Sequence, residues 1–273
     1  MNTVYGVYGD PIAHSLSPNM HNAAFRELGM ESTYQAFRVS SENLKDALLG
    51  AKAMGFGGVN LTVPLKQEAL GIVDADPLAE SIGAINTVDF KDGMIGYNTD
   101  GIGAKRAIEE QEIKIKGSKV LIVGAGGAAR AIAFQFARDG ANITIANRTE
   151  QKALDLSMEV SSVGLATGCG IDCIKDMIAD SDILVNCTTL GMKPNPEGTI
   201  ATAEDMHPDL TVFDIVYNPL ETRLLKETKK AGAKAITGEM MLVYQGAEAF
   251  RIWTGVEPPI EVMKQAVLEG LGI

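Results

Sequence analysis

One segment restricts the fold of this chain more than any other: the run KVLIVGAGGAARAIAFQFARDGANITIANRT, residues 119–149. Lys119–Val123 is predicted to be a buried strand, and the alanine-rich stretch Ala128–Arg138 has the spacing of an amphipathic helix. A second predicted strand, Asn142–Ala146, follows directly. Strand, glycine turn, helix and strand in this order predict a right-handed βαβ unit, and therefore an α/β fold with parallel strands.

The glycine turn of this unit has the spacing Gly-x-Gly-x-x-Ala. Gly124 permits a tight turn, Gly126 lets a ligand approach the backbone, and Ala129 allows the helix to lie close to the strand. Unpaired N–H groups at the helix N-terminus attract anions such as a pyrophosphate. The pattern therefore predicts a dinucleotide-binding Rossmann domain. The predicted pyrophosphate contacts are Gly124, Ala125, Gly126, Gly127 and Ala128.

The residues after the second strand indicate which dinucleotide is bound. NAD-binding domains typically have an acidic residue there, which binds the ribose 2′-hydroxyl. This chain has Asn147, Arg148 and Thr149 instead. A guanidinium can pair with a 2′-phosphate, whereas an acid would repel it. The sequence therefore favours NADP(H). Thr149 also has the position of an N-cap for the next helix.

Alternating strand and helix patterns extend along the rest of the chain. Residues 119–238 contain six predicted strands, a complete Rossmann sheet, which leaves no strand for the two helical patterns after Gly238. We therefore predict two α/β domains, with the C-terminal helices returning to the first. The expected substrate domain is 1–101 completed by 239–273, and the expected Rossmann domain is 102–238. The predicted strands outside the βαβ unit are Thr3–Tyr8, Thr33–Val39, Gly58–Val63, Ala84–Phe90, Met94–Tyr97, Leu165–Ile171, Ile183–Cys187, Val212–Val216 and Lys234–Thr237. The predicted helices outside it are Pro18–Leu28, Glu42–Met54, Lys66–Leu70 and Gly101–Gln111, with a hairpin at Lys91–Gly93.

Charge and cysteine content limit the partners. The formal net charge of −11 over 273 residues argues against a nucleic-acid-binding surface. Three cysteines, Cys169, Cys173 and Cys187, cannot all pair, which favours reduced thiols, and no metal-ligand spacing accompanies them. No signal peptide or spanning segment is evident. We expect a cytoplasmic protein, monomeric or homodimeric, that binds small molecules, no metal and no membrane.

Four polar clusters interrupt the first hundred residues at the ends of predicted strands: HSLSP (14–18), NLTVPLK (60–66), AINT (84–87) and NTDG (98–101). Each has a purely structural explanation, such as a helix start or a capped turn. Ligands of open parallel sheets bind outside the carboxyl ends of the strands, where all four clusters are expected. Their convergence on one sheet edge predicts a substrate site.

These clusters, followed by GAGGA, NRT, DIVYNP (214–219) and YQGAEAF (244–250), resemble the shikimate dehydrogenase family in content and order. The resemblance extends from Tyr5 to about Trp253. It implies reduction of 3-dehydroshikimate to shikimate with NADPH, a step toward chorismate and the aromatic amino acids. The family's two-domain fold agrees with the division predicted above.

The resemblance also implies residue roles. Ser15 and Ser17 resemble the hydroxyls that hold the substrate carboxylate, and Lys66 resembles the catalytic lysine. Gly238 and the backbone of Ile215 resemble contacts to the nicotinamide half of the cofactor. The groups that resemble contacts to the ring hydroxyls are Thr62, Asn86, Asp100 and Gln245, with Tyr217 reaching the substrate across a cleft.

Chemistry supports the role of Lys66 independently. Ketone reduction needs a proton for the developing alkoxide, and an ammonium group can supply it while stabilising the negative charge. We expect Asp100 to position this ammonium group. A lysine at the start of the predicted helix Lys66–Leu70 would feel the positive end of the helix dipole, which Asp100 would offset.

Three alternatives remain open. The chain could be a binding protein that senses substrate or nucleotide without turnover, although Lys66 and Asp100 are both present. It could be another two-domain NADP enzyme, such as a folate dehydrogenase, which the serine pair and the Gln245 helix disfavour. It could also belong to a quinate-using branch of the same family. The absence of an acid at Asn147–Thr149 disfavours that branch.

Overall fold

In the computed structural model, which describes residues 2–273, the chain forms two compact α/β units, as the sequence predicts. One unit extends to Gly103 and resumes at Leu242–Ile273, and the other comprises Ala104–Met241. The boundaries therefore lie within two long helices, α4 (Asp100–Glu109) and α9 (Glu239–Thr254). Within residues 2–273, no helix is long and apolar enough to cross a membrane.

The first unit is built on a six-stranded mixed sheet with the order β2-β1-β3-β5-β6-β4. Strands β1, β2 and β3 are parallel, whereas β5 is antiparallel to both β3 and β6. Strands β4 and β6 are parallel to each other and run in the same direction as β1, β2 and β3, so the sheet is mostly parallel, as expected, and β5 is the exception. The strands are β1 (Thr3–Gly9), β2 (Ser32–Arg38), β3 (Gly58–Leu61), β4 (Asp74–Ala75), β5 (Thr87–Asp89) and β6 (Ile95–Tyr97). The helices besides α4 and α9 are α1 (Ser17–Glu27), α2 (Leu44–Ala53), α3 (Pro77–Ile82) and α10 (Ile260–Leu271).

The second unit is a six-stranded parallel sheet with the order β12-β11-β10-β7-β8-β9. The strands after β7 are added first on one side of it, as β8 and β9, and then on the other, as β10, β11 and β12. This order is that of a Rossmann domain. The strands are β7 (Lys119–Val123), β8 (Asn142–Ala146), β9 (Leu165–Cys169), β10 (Ile183–Asn186), β11 (Thr211–Asp214) and β12 (Lys234–Ile236). The helices are α5 (Gly127–Arg138), α6 (Glu150–Val160), α7 (Ile174–Ala179) and α8 (Arg223–Lys230).

The C-terminal helices pack on the first unit, where α9 contacts the sheet through Trp253 and α10 lies against α1. The indole of Trp253 donates to the carbonyl oxygen of Val88 at 3.0 Å, and its ring is tilted against that of Tyr5 at a centroid distance of 5.1 Å. A side chain at Gly58 would collide with this indole, because its Cβ would lie 2.1 Å from the indole nitrogen. The glycine in β3 therefore makes room for the helix that closes this core.

The predicted helix Lys66–Leu70 is wrong, because residues 63–69 form successive turns. The carbonyl oxygen of Lys66 accepts from the N–H of Ile85 at 2.7 Å, so it is not used in a helical hydrogen bond. Leu70 instead donates to Gln67. A contact between distant segments overrides the local helical preference.

Two short elements of the first unit were missed. The two-residue strand β4 exists through its pairing with β6, which no local pattern announces. Helix α3 had a readable signal: Asp76 caps it by accepting from the N–H of Ala79, Pro77 opens it, and Gly83 closes it with a φ of 71°.

The expectation of reduced cysteines is also wrong for one pair. Cys169, the last residue of β9, and Cys173 form a disulfide across a 3-10 turn, Ile171–Cys173. Their Cα atoms lie 6.5 Å apart. The number of cysteines therefore does not indicate a reducing compartment.

A histidine lies in the aromatic core beneath the C-terminal helices. His21 is fully buried, and its ring stacks on Tyr34 at 4.3 Å and lies near Phe250 and Trp253. Burial lowers the pKa of His21 from 6.5 to about 3. Between pH 6.5 and about 3, the imidazole is therefore neutral in the folded protein, whereas it binds a proton in the unfolded chain.

This difference predicts acid sensitivity. Because the folded pKa lies below the unfolded value, the His21 contribution to stability is complete above pH 6.5 and is lost as pH falls toward 3. The loss should approach about 1.4 kcal/mol per pH unit. The measurement is the free energy of unfolding in urea between pH 7.5 and about 5. In His21→Phe, which keeps an aromatic ring, this part of its pH dependence should vanish. His14→Gln, at an exposed histidine, is the control. Equal pH slopes for wild type and His21→Phe would contradict the assignment.

Candidate active site

Four loop clusters of the first unit meet at one edge of its sheet. Register pairs Tyr8 with Leu61, Asn60 with Thr87, and Thr87 with Tyr97. The carboxyl ends of β1, β3 and β6 therefore lie beside the amino end of β5. The predicted convergence occurs, but the AINT cluster precedes an antiparallel strand and does not follow a parallel one. The reversal of β5 brings Asn86 to this edge.

The centre of this edge is an ion pair. The Nζ atom of Lys66 lies 2.5 Å from Oδ2 of Asp100, and the two side chains are 18% and 6% exposed. Asp100 is the first residue of α4, where the positive end of the helix dipole favours a carboxylate. Lys66 was expected at a helix start but lies among turns, so the helix dipole acts on its partner Asp100 instead.

Asn86 fixes the second oxygen of the same carboxylate. Its amide nitrogen donates to Oδ1 of Asp100 and to Oγ1 of Thr99, each at 2.9 Å. Its amide oxygen accepts from the backbone N–H of Thr99 at 2.8 Å and from the hydroxyl of Thr87 at 3.0 Å. Every bond constrains the orientation of the amide. Asp100 is therefore held on both oxygens, by Lys66 on one side and Asn86 on the other.

Sequence reasoning missed the buried residues that continue this network. Asn60 donates to Oγ1 of Thr87 at 3.0 Å and accepts from the hydroxyl of Tyr34 at 2.7 Å. Asn60 lies in the NLTVPLK cluster and Thr99 in the NTDG cluster, so their residue types and positions could have identified them. Tyr34, in the middle of β2, has no sequence signal for a polar role.

Four other residues predicted for the substrate, Ser15, Ser17, Thr62 and Gln245, belong to the same unit. The N–H of Ser17 donates to the hydroxyl oxygen of Ser15 at 3.3 Å, so these two serines share one turn. Thr62 follows β3 and lies against Gly9, where an added Cβ would approach within 2.4 Å of its methyl group. Gln245 lies on α9 and donates to the carbonyl oxygen of Leu242 at 2.8 Å.

The second unit has its own cluster at the carboxyl edge of its parallel sheet. Gly124 has a φ of +119°, and a Cβ there would lie 2.9 Å from the carbonyl oxygen of Cys187, so glycine is required. At Gly126, by contrast, an added Cβ would meet no atom within 4 Å. Ala129 is fully buried against the sheet. The glycine turn thus leaves open backbone at the start of α5, as a bound pyrophosphate requires.

The loop after β8 also fits a phosphate-bearing ribose. Arg148 is exposed, and within residues 2–273 its guanidinium has no carboxylate oxygen within 4.0 Å. The amide of Asn147 donates to the carbonyl oxygen of Thr149 at 2.9 Å, which stabilises the turn. Thr149 takes the N-cap position of α6, but its hydroxyl makes no capping bond. Its hydroxyl is therefore not committed to the helix.

The DIVYNP loop lies at the same edge, after β11. Gly238 touches it directly, because a Cβ at Gly238 would lie 2.5 Å from the carbonyl oxygen of Ile215. The structure therefore brings these two predicted cofactor contacts together. Tyr217, in the same loop, is half-buried, and burial raises the pKa of its hydroxyl.

A buried aspartate, missed by sequence reasoning, anchors this loop. Asp214 accepts from Asn186 at 2.9 Å, from the hydroxyl of Thr222 at 2.6 Å and from the N–H of Val216 at 3.1 Å. Burial raises the pKa of Asp214, and these hydrogen bonds oppose the rise. Its place at the end of β11 was a usable signal.

Comparison with known proteins gives consistent matches. Three family models match the chain: "Shikimate dehydrogenase substrate binding domain" over residues 7–88, "Shikimate / quinate 5-dehydrogenase" over 104–217, and "Shikimate 5'-dehydrogenase C-terminal domain" over 238–268. The chain is 63% identical over 273 residues to the shikimate dehydrogenase (NADP(+)) of Methanococcoides burtonii, with all of both chains covered.

Solved structures agree with the sequence relatives. A shikimate dehydrogenase in complex with NADP+ is 48% identical, with a TM-score of 0.93 covering 99% of this chain and 96% of that one. The quinate dehydrogenase of Corynebacterium glutamicum in complex with NAD is 32% identical, with a TM-score of 0.91 covering 98% and 99%. By these matches and by its fold, the chain belongs to the shikimate dehydrogenase family.

Proposed function

We propose that this protein catalyses the reversible, NADPH-dependent reduction of 3-dehydroshikimate to shikimate, a step of chorismate and aromatic amino acid biosynthesis. One observation carries the chemical assignment. A mostly buried lysine–carboxylate pair, Lys66 and Asp100, lies at the sheet edge where four polar loops converge. The relatives are named for this activity and for NADP(+).

Lys66 is the general acid in the direction of ketone reduction. NADPH, when bound, supplies the hydride. The ammonium group of Lys66 donates a proton to the carbonyl oxygen as negative charge develops there, and its own charge stabilises that oxygen before transfer. In the reverse direction, the neutral amine accepts the hydroxyl proton of shikimate.

Asp100 and Asn86 position this ammonium group. Because Asn86 donates to Oδ1 of Asp100, the carboxylate keeps Oδ2 directed at Nζ of Lys66. A flexible lysine side chain would lose much of its rate advantage through misorientation. The pair therefore acts as one unit, and loss of either member removes most of its effect.

Ser15 and Ser17 bind the substrate carboxylate in this proposal, as two hydroxyl donors on one turn. Thr62, Asn86, Asp100 and Gln245 bind the ring hydroxyls, and Tyr217 of the second unit contributes a further hydroxyl. The roles of Thr62, Asn86 and Asp100 are supported by their position at the same edge of the first sheet.

NADP(H) binds to the second unit. Gly124, Ala125, Gly126, Gly127 and Ala128 hold the pyrophosphate at the start of α5, and the open space beside Gly126 supports this assignment. Asn147, Arg148 and Thr149 bind the adenosine ribose and its 2′-phosphate. Ile215 and Gly238 contact the nicotinamide half, and their direct contact supports a shared role.

The primary test is spectrophotometric. Shikimate with NADP+ should give NADPH, with quinate and with NAD+ as parallel reactions. No turnover with any pairing, together with retained shikimate binding by calorimetry, would favour a sensor over an enzyme. Faster turnover with quinate and NAD+ would favour the quinate-using branch.

The catalytic pair gives a sharper prediction. Lys66→Ala should lower kcat by about two to four orders of magnitude while calorimetric binding of shikimate survives. Asp100→Asn should also be slow, and the double variant should cost much less than the sum in log kcat, because the pair acts as a unit. Lys52→Ala, at an exposed lysine on α2, is the control. Near-normal kcat with lost affinity would reassign Lys66 to binding.

Cofactor choice is tested at Arg148. Arg148→Ala removes a charge-assisted contact to the 2′-phosphate worth about 1.5–3 kcal/mol, so kcat/KM for NADPH should fall by about 10- to 150-fold. Use of NADH should change little, since NADH lacks that phosphate. The matched control is Arg138→Ala, at an exposed arginine of the same unit. Equal losses with both cofactors would mean that Arg148 supports the fold and does not read the phosphate.

The preference of the enzyme for shikimate over quinate can also be tested. Quinate is saturated and carries an additional hydroxyl on the carbon that bears its carboxylate. A hydroxyl without a partner in a closed site loses its water contacts at a cost of about 1–3 kcal/mol. With NADP+, kcat/KM should therefore favour shikimate by about tenfold or more. Comparable values for the two acids would refute this preference.

A further inference from the structure

Asn186 and Asp214 are two buried polar residues that end neighbouring strands of the parallel sheet. They are the last residues of β10 and β11, and the register of these strands places them side by side. The two residues are 1% and 0% exposed, and the amide nitrogen of Asn186 donates to Oδ1 of Asp214 at 2.9 Å. They therefore form one buried pair at the edge of the sheet where the cofactor is proposed to bind.

Asn186 holds the loop that follows β10. Its amide oxygen accepts from the backbone N–H of Thr188 at 3.0 Å and from the hydroxyl of Thr188 at 2.7 Å. Because a backbone N–H can only donate, the amide oxygen must face this loop and the amide nitrogen must face Asp214. The hydroxyl oxygen of Thr188 in turn accepts from the N–H of Leu190 at 3.2 Å. The first residues of this loop are thus tied to the buried pair.

Asp214 holds the loop that follows β11. Its Oδ1 also accepts from the N–H of Val216 at 3.1 Å, and its Oδ2 accepts from the hydroxyl of Thr222 at 2.6 Å. Ile215 donates its own N–H to the carbonyl oxygen of Asn186 at 3.2 Å. The backbone of Ile215 is therefore held on one side through Asn186 and on the other through the carboxylate of Asp214.

Gly238 packs directly on the backbone that Asp214 holds. A Cβ at Gly238 would lie 2.5 Å from the carbonyl oxygen of Ile215 and 2.8 Å from that of Asp214. A shift of this backbone toward Gly238 would therefore produce a collision. Ile215 and Gly238 are the two contacts proposed for the nicotinamide half of NADP(H). The hydrogen bonds of Asp214 thus fix the part of the site where the ring would bind.

We propose that Asp214 is a positioning residue for the nicotinamide ring of NADP(H). Its carboxylate holds the backbone of Ile215 against Gly238, and through Asn186 it joins the loop after β11 to the loop after β10. Asp214 does not itself touch the cofactor, because it is fully buried and both its oxygens accept from protein donors. The inference rests on the proposed function, which assigns Ile215 and Gly238 to the nicotinamide half.

Asp214→Asn tests this role with the shape of the side chain preserved. An amide group accepts through its oxygen only, so the donors on one side of the group lose their acceptor. The loop after β11 then gains freedom that must be given up when the nicotinamide ring binds. The contacts proposed for the pyrophosphate and the 2′-phosphate follow β7 and β8, so binding of those groups should be unaffected.

Thr222→Val and Thr228→Val form a matched pair of variants. Both threonines are fully buried, one at the N-cap of α8 and the other within that helix. The hydroxyl of Thr222 donates to Asp214, whereas that of Thr228 donates to the carbonyl oxygen of Leu224 at 2.8 Å. Thr222→Val also removes the N-cap bond to the N–H of Leu225, a loss that thermal unfolding measures. Only Thr222→Val should change binding of the nicotinamide ring.

The test compares calorimetric binding of two ligands, well below the unfolding midpoint of each variant. One is NADP+, and the other is 2′-phosphoadenosine 5′-diphosphoribose, which is NADP+ without its nicotinamide ring. For Asp214→Asn and Thr222→Val, we expect the Kd for NADP+ to rise about fivefold or more and the Kd for the ring-free ligand to stay within about twofold of wild type. For Thr228→Val, both constants should stay within about twofold of wild type.

The other outcomes would overturn the proposal. Equal weakening of both ligands, or a lower unfolding midpoint with both constants unchanged, would mean that Asp214 supports only the fold. Equal affinity of the wild-type protein for the two ligands would mean that no ring contact exists to be positioned. If Asp214→Asn does not fold, Thr222→Val and its control decide the question. Absence of shikimate turnover by the wild-type protein, with selective weakening of NADP+ in the variants, would instead refute the proposed reaction and leave the role of Asp214 intact.

Discussion

The carboxylate of Asp100 is almost completely buried, and the edge of the first sheet is organised around meeting the cost of that burial. A buried charge without partners is strongly destabilising. Asp100 has a cation on one oxygen, an amide on the other and the N-terminus of a helix beneath it. Each partner comes from a different segment: Lys66 from the turns after β3, Asn86 from the start of β5, and the helix from the chain after β6. The fold must therefore bring three segments together before this group is stable.

That requirement explains why the first sheet is mixed. Asn86 can reach Asp100 because β5 runs against both β3 and β6, so its amino end meets their carboxyl ends. A parallel β5 would place Asn86 at the opposite edge. The hairpin at Lys91–Gly93 reverses the chain again and returns it to Asp100. In the second unit, where all strands are parallel, the loops predicted to bind the cofactor all follow strands, as the Rossmann topology requires.

The sequence predicts the second unit better than the first, for a physical reason. The bounds of β7 and β8 agree to the residue, because buried parallel strands and the glycine turn between them are specified by adjacent residues. In the first unit, the turns at residues 63–69, the short strand β4 and the direction of β5 depend on contacts between distant segments. The polar clusters that contain Lys66, Asn86 and Asp100 were found from the sequence by their place at predicted strand ends, whereas the roles expected of these residues came from the resemblance to the shikimate dehydrogenase family. Tyr34 was not found, since a tyrosine in a strand is ordinarily a packing residue.

The family's range of substrates restricts where specificity can reside. A quinate dehydrogenase shares this fold with a TM-score of 0.91 at 32% identity, so the backbone does not select the acid. In the proposed function, the lysine–carboxylate pair performs chemistry that any ring hydroxyl at that position would share. Discrimination must then come from side chains near the carboxylate, where shikimate and quinate differ. In the proposed assignment those are Ser15 and Ser17, which share one turn through the Ser17 N–H and the Ser15 hydroxyl oxygen at 3.3 Å. An additional hydroxyl beside the carboxylate is therefore opposed where these side chains offer it no partner, because it loses its own water contacts on entering the site.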